Sequence, residues 1–167
     1  MTTELYRPLR PAVVGLEGRT ERIAATPAER DALARRLGLL ELASFAAEVT
    51  VVPAPGGELR ARGSLRAEVV QECVVTLDPV PSVVAAALDW RILPPGEEAS
   101  DLLDDGPDEI ESEPDGTVDL GEALAQELSL ALDPYPRAPG AELPEAARDA
   151  AENPFAALRA KLPGSTA

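Results

Sequence analysis

Histidine is absent from all 167 residues, and cysteine occurs once, at position 73. The first absence removes the commonest metal ligand and the usual general base; the second excludes an internal disulfide. Catalysis would have to run on carboxylates, Ser/Thr hydroxyls or that one thiol. Aromatic residues make up 3% of the chain, so aliphatic and alanine side chains must build the core. No run of about 18 apolar residues occurs, and the opening MTTELYRPLRPAVVG holds neither a basic cluster nor an apolar stretch of signal-peptide length. The expectation is a soluble, cytoplasmic protein.

What the chain has in excess is acid: 30 Asp and Glu against 15 Lys and Arg, a formal net charge of -15. Adhesion to phosphate backbones or anionic lipid is driven by Lys and Arg releasing counterions, so this balance opposes it and favours a basic partner. The length suits one ordinary domain, placed at residues 1–162 with a short disordered tail at 163–167.

The first clear element opens at TPAERDALARRLGL. Thr26 is placed as N-cap, Pro27 as first helical residue and Glu29 as the return half of a capping box, with Gly38 at the end. Leu33, Leu37 and Leu40 are expected to share the packed stripe. At ELASFAAEVTVVP the period changes to two, with Phe45, Ala47, Val49 and Val51 on one face of a strand. Pro53, Pro55, Gly56 and Gly57 make a turn into ELRARGSLRAEVVQEC, where Leu59, Ala61, Gly63, Leu65, Ala67 and Val69 alternate with polar residues. These runs predict an antiparallel hairpin, with a close backbone approach at Gly63. The two prolines of TLDPVPS are expected outside any central ladder. VVAAALDWRILPP then supplies a third strand with Val84, Ala86, Leu88, Trp90 and Ile92 facing one way.

Residues 96–117 are acidic, rich in chain breakers and read as a mobile loop. Asp101, Asp104, Asp105 and Gly106 lack the alternate-position spacing and closing glutamate of a calcium loop, so no metal is expected there. DLGEALAQELSLAL restarts helix, with Asp119 as N-cap, Glu122 as its capping-box partner, and Leu120, Leu124 and Leu128 on one stripe. DPYPRAPG follows as an extended segment, either a recognition motif or a strap over the core. NPFAALRAKL reads as a small helix capped by Asn153, with Phe155 and Leu158 on one side, the best candidate for a short docking motif. The whole is an α+β fold: an antiparallel sheet of at least three strands with flanking helices, its closure into a barrel left open.

Two constellations could carry function. Cys73 stands where a second cysteine at position 76 would complete C-x-x-C, yet Thr76 stands there instead. Glu72 and Asp78 are expected to raise the thiol pKa, and without further Cys or His a tetrahedral zinc site is nearly excluded. A small buried residue at a strand end is the expected role, with no cofactor, no metal and no catalytic residue. Arg60, Arg62 and Arg66 share the outward face of one strand over about 20 Å. Pairing with Glu48, Glu58 and Glu68 is one expectation. The other is weak contact with RNA phosphates, without aromatic platforms for base stacking.

The stretches ATPAERDALARRLGLLELASFAAEVTV, GSLRAEVVQECVVTLDPV, VDLGEALAQELSLALDPYPRAPGAEL and NPFAALRAKL resemble, in order and spacing, the bacterial YceD family of large ribosomal RNA subunit accumulation proteins. Cys73, Leu77 and Pro79 match the C-x-R-C-L-x-P found in many members; Val75 and Thr76 replace the arginine and the second cysteine, as in a branch of the family with CVVTL. The resemblance implies a part in accumulation or maturation of large-subunit ribosomal RNA, with no enzymatic activity. Combined with the charge, it suggests an accessory factor that contacts a basic ribosomal protein or assembly factor, with ribosomal RNA itself as the alternative partner. No membrane and no small-molecule substrate are expected. An enzyme using Cys73 is the remaining alternative.

Overall fold

A computed structural model describes residues 3–99 and 106–142. Along the chain run β1 (Pro8–Leu9), β2 (Arg19–Ala24), α1 (Pro27–Leu37), β3 (Glu41–Pro53), β4 (Leu59–Glu72), β5 (Pro79–Ile92), β6 (Asp108–Ile110), β7 (Val118–Asp119) and α2 (Leu120–Ala131). Strands β2 to β6 form one open sheet in sequence order, antiparallel except for the parallel pair β5–β6, while β1 and β7 make a separate two-stranded ribbon. β2 and β6 are the two edges of the large sheet, so it does not close into a barrel. The α+β class stands. Among the described residues no helix is long and apolar enough to cross a membrane.

Both helices pack on one face of the sheet. Leu33 of α1 and Leu120, Leu124 and Leu128 of α2 join Phe45, Val49, Val51, Leu65, Val69, Leu88 and Trp90 in a single core, completed by Leu5 and Leu9 from the N-terminal segment. The period-two reading of all three long strands is therefore correct. In β4 the inward Gly63 has no room for a side chain, since a Cβ there would lie 1.9 Å from the Glu48 carbonyl oxygen.

α1 begins as its sequence dictates: the Glu29 amide donates to Thr26 Oγ1, and the Thr26 amide donates to Glu29 Oε2 at 2.8 Å. Its end departs from the expected stripe. Gly38 turns the chain in a left-handed conformation, which buries Leu39 and leaves Leu40 exposed.

Three further expectations are corrected. Pro79 and Pro81 lie inside β5, opposite Glu72 and Val70. Leu93, just past the strand, donates its N–H to Ile110 on the β6 side, and β5 keeps an unbroken register with β4. Alternation then directs the backbone groups of the odd-numbered residues away from β4, so neither proline removes a ladder donor. The acidic segment at 96–117 is more than loop, because it contributes β6 beside Trp90–Ile92. Glu122 does not close a capping box on α2: Asp119 Oδ1 accepts from the Gly121 amide at 3.0 Å, while Glu122 reaches Arg36 of α1. A guanidinium with two carboxylates in reach outcompetes one backbone N–H for that side chain. Asp101, Asp104, Asp105, Asn153, Phe155 and Leu158 lie outside the described residues.

Candidate functional site

Neither described helix covers the outer face of the sheet, and β4 projects Arg60, Arg62 and Arg66 from it as its alternation requires. Their partners differ from those expected. Asp89, across the ladder on β5, takes both Arg60, at 2.5 Å, and Arg62, at 3.2 Å. Those two guanidinium groups hold its carboxyl below the usual range, Arg60 contributing most. Glu48 pairs instead with Arg22 on β2, and Glu58 lies 3.9 Å from Arg91. Arg91 also pairs with Glu109. Arg66 stands between Ala46 and Ala85, beside a shallow hollow of about 400 Å³ lined by Ala24, Ala46 and Ser64. No ion pair holds it among the described residues. The stripe is thus one committed cluster plus one free cation.

Cys73 follows the last residue of β4 and opens a tight turn. Its amide donates to the Asp78 carbonyl at 2.9 Å and its carbonyl accepts from Leu77 at 3.0 Å. Leu77 closes the turn at a φ of 63°, the left-handed region that a leucine rarely enters. The sulfur is fully buried and accepts from the amides of Val75 and Thr76, both at 3.4 Å, and of Ala138 at 3.3 Å. The Ala138 amide, followed by the Thr76 hydroxyl and the two turn amides, lowers its pKa to about 7. This reverses the expectation placed on Glu72 and Asp78: converging N–H dipoles at the sulfur govern the thiol, and the flanking side chains do not. A lowered pKa makes a nucleophile only where a reagent can reach it, and this sulfur is enclosed.

What encloses it is the DPYPRAPG segment. The Val74 amide donates to the Pro136 carbonyl at 2.9 Å, and Gln71 Nε2 donates to the Asp133 carbonyl at 2.9 Å. As one of its two readings expected, this proline-spaced run lies as a strap, here over the Cys73 turn. Its three anchor points, at Asp133, Pro136 and Ala138, and Asp89 as counter-ion of the stripe leave no sign in the sequence. A cross-strand Arg/Asp register needs the pairing to be known, and a thiol accepting from a residue 65 positions away leaves no periodic trace.

Leu77 and Pro79 take structural places as well, Leu77 in the reversal and Pro79 as first residue of β5. Among the described residues no three His, Cys, Asp or Glu side chains come together as a metal site.

No curated protein and no solved structure matches the chain. A family model described as large ribosomal RNA subunit accumulation protein YceD matches residues 61–160, more than half of the sequence. The span starts in β4 and takes in the Cys73 turn, β5, β6, α2 and the strap, the parts that the turn and its anchors tie together. The chain belongs to the YceD family, whose name joins it to accumulation of the large ribosomal RNA.

Proposed function

We infer that the protein serves large-subunit ribosomal RNA accumulation as a non-enzymatic accessory factor, by holding a basic ribosomal protein or assembly factor. The observation that carries this reading is the distribution of charge. The net value is -15, and on the outer face Arg22 and Arg91 each have a carboxylate, Arg60 and Arg62 share that of Asp89, and Arg66 has none among the described residues. Such a surface repels phosphate and draws cationic protein. Pull-downs at low salt should recover basic ribosomal proteins or assembly factors, and raising salt should release them steeply. Recovery of naked ribosomal RNA alone would sink the reading.

Direct RNA contact is the second reading, favoured by the free guanidinium of Arg66 on the same exposed face as Arg60 and Arg62. It predicts that replacing all three by alanine lowers crosslinking to ribosomal RNA while the circular dichroism spectrum is unchanged. An enzyme built on Cys73 would require a reactive thiol; slow labelling of native protein and normal function of Cys73→Ser would remove it.

A further inference from the structure

Among the described residues, the side of β5 turned away from β4 is a long stretch of sheet edge without a guard. β6 covers it only at Trp90–Ile92, and Pro79 and Pro81 blunt its other end. Between them the N–H and C=O groups of Val83, Ala85 and Ala87 point outward with no partner among the described residues. At the opposite edge β2 carries Arg19, Glu21 and Arg22 within six residues, the charged guarding usual for a strand that must not pair. From Ser82 to Leu88, β5 carries no charge at all. Its outward side chains there, Val83, Ala85 and Ala87, are exposed and small enough for another backbone to approach.

The surroundings of this edge state the chemistry of what fits. On the helix side, where β6 begins, Asp108 faces Glu127 of α2; burial and this neighbouring charge raise the Glu127 pKa. Trp90 hydrogen-bonds Glu127, and neither acid has a cation paired with it among the described residues. On the outer side Glu68 stands opposite Val83 and Arg66 opposite Ala85, so small uncharged residues fit that side better than more cations.

We propose that the free edge of β5 at Val83–Ala87 is a docking site for an extended protein segment that carries lysine or arginine at alternate positions, added as a further strand with its cations toward Asp108 and Glu127. The backbone groups of three residues supply the hydrogen bonds, and β6 already occupies the same edge three residues further on. A second copy of this chain fits less well, since it would bring another net charge of -15 to the junction. The proposal rests on the partner being a basic protein, and it names where that partner lies.

The test uses the full chain and a labelled synthetic peptide of alternating lysine and threonine at low salt. Binding should protect the amides of Val83, Ala85 and Ala87 from hydrogen exchange. Ala85→Pro, which removes an outward donor at the same parity as Pro79 and Pro81, should weaken binding on the order of tenfold or more. Should that variant fold poorly, Val83→Lys with Ala87→Lys leaves the backbone intact and repels the peptide. Equal affinity in wild type and variants, or protection elsewhere, overturns the proposal. Protection that grows with protein concentration in the absence of peptide overturns it too, by giving the edge to a second copy. In pull-downs, equal recovery of basic ribosomal proteins by wild type and Ala85→Pro removes the edge and leaves the accessory-factor reading standing. Recovery by neither removes that reading, while the peptide titration still decides the edge.

Discussion

Glu29 does two things at the start of α1: it receives the Thr26 amide and it takes the Arg7 guanidinium in two bonds of 2.8 and 3.0 Å. Arg7 is the larger cause of its pKa falling to about 2. Because the folded value lies below the ordinary one near 4.5, the stabilisation is complete above pH about 4.5 and is lost as pH falls toward 2. Glu29→Gln should therefore cost about 1 kcal/mol in urea unfolding at neutral pH, and the gap to wild type should close in acid. Gly63→Ala should cost roughly 1–3 kcal/mol or more, because the added carbon meets the Glu48 backbone and no flexible side chain can yield. Urea unfolding measures this too. Gly63 was legible in the sequence as an inward glycine in an alternating strand. The Arg7–Glu29 pair was not, since nothing local tells that an arginine 22 positions upstream folds back onto a helix start.

At the scale of elements, legibility followed periodicity. Thr26, Pro27 and Glu29 announced α1, and Phe45 through Val51, Leu59 through Val69 and Val84 through Ile92 announced the three long strands with the correct buried face. β2 gave no such signal because Arg19 and Glu21 occupy positions on its inward side, and β6 was hidden because three residues are too few to show a period. The turn at Cys73 was recognisable by residue type, but the strap that completes it was legible only as proline-spaced chain. The strap makes a prediction of its own: native protein should react slowly with a thiol reagent despite a pKa of about 7, and truncation after Leu132 should raise the rate on the order of tenfold or more. Equal rates in the two forms would show that the strap does not shield the sulfur.

For the whole molecule, the proposed basic partner makes the net charge of -15 the quantity to test. Partner affinity should fall with ionic strength, and it should fall again in acid as carboxylates take up protons, with both trends measured by titration of the recovered partner. The sign of that charge was available from composition alone. Pairing of the stripe with carboxylates was expected too, but with Glu48, Glu58 and Glu68; that Asp89 is the partner was not legible, because it depends on Asp89 meeting Arg62 across β4–β5.

The segment before β2 is anchored to β7 and the start of α2. Leu9 pairs with Val118, the Arg7 amide donates to Asp119, and Gly121 leaves space for the Leu5 carbonyl, since a Cβ there would lie 1.8 Å from that oxygen. During synthesis, residues 41–92 can zip into their hairpins as they emerge, each strand meeting the one just made. Residues 5–9 must wait for α2 before they can seat. They therefore stay unseated until α2 arrives, and the strap, made later still, can close over the Cys73 turn only after that clasp has its partner.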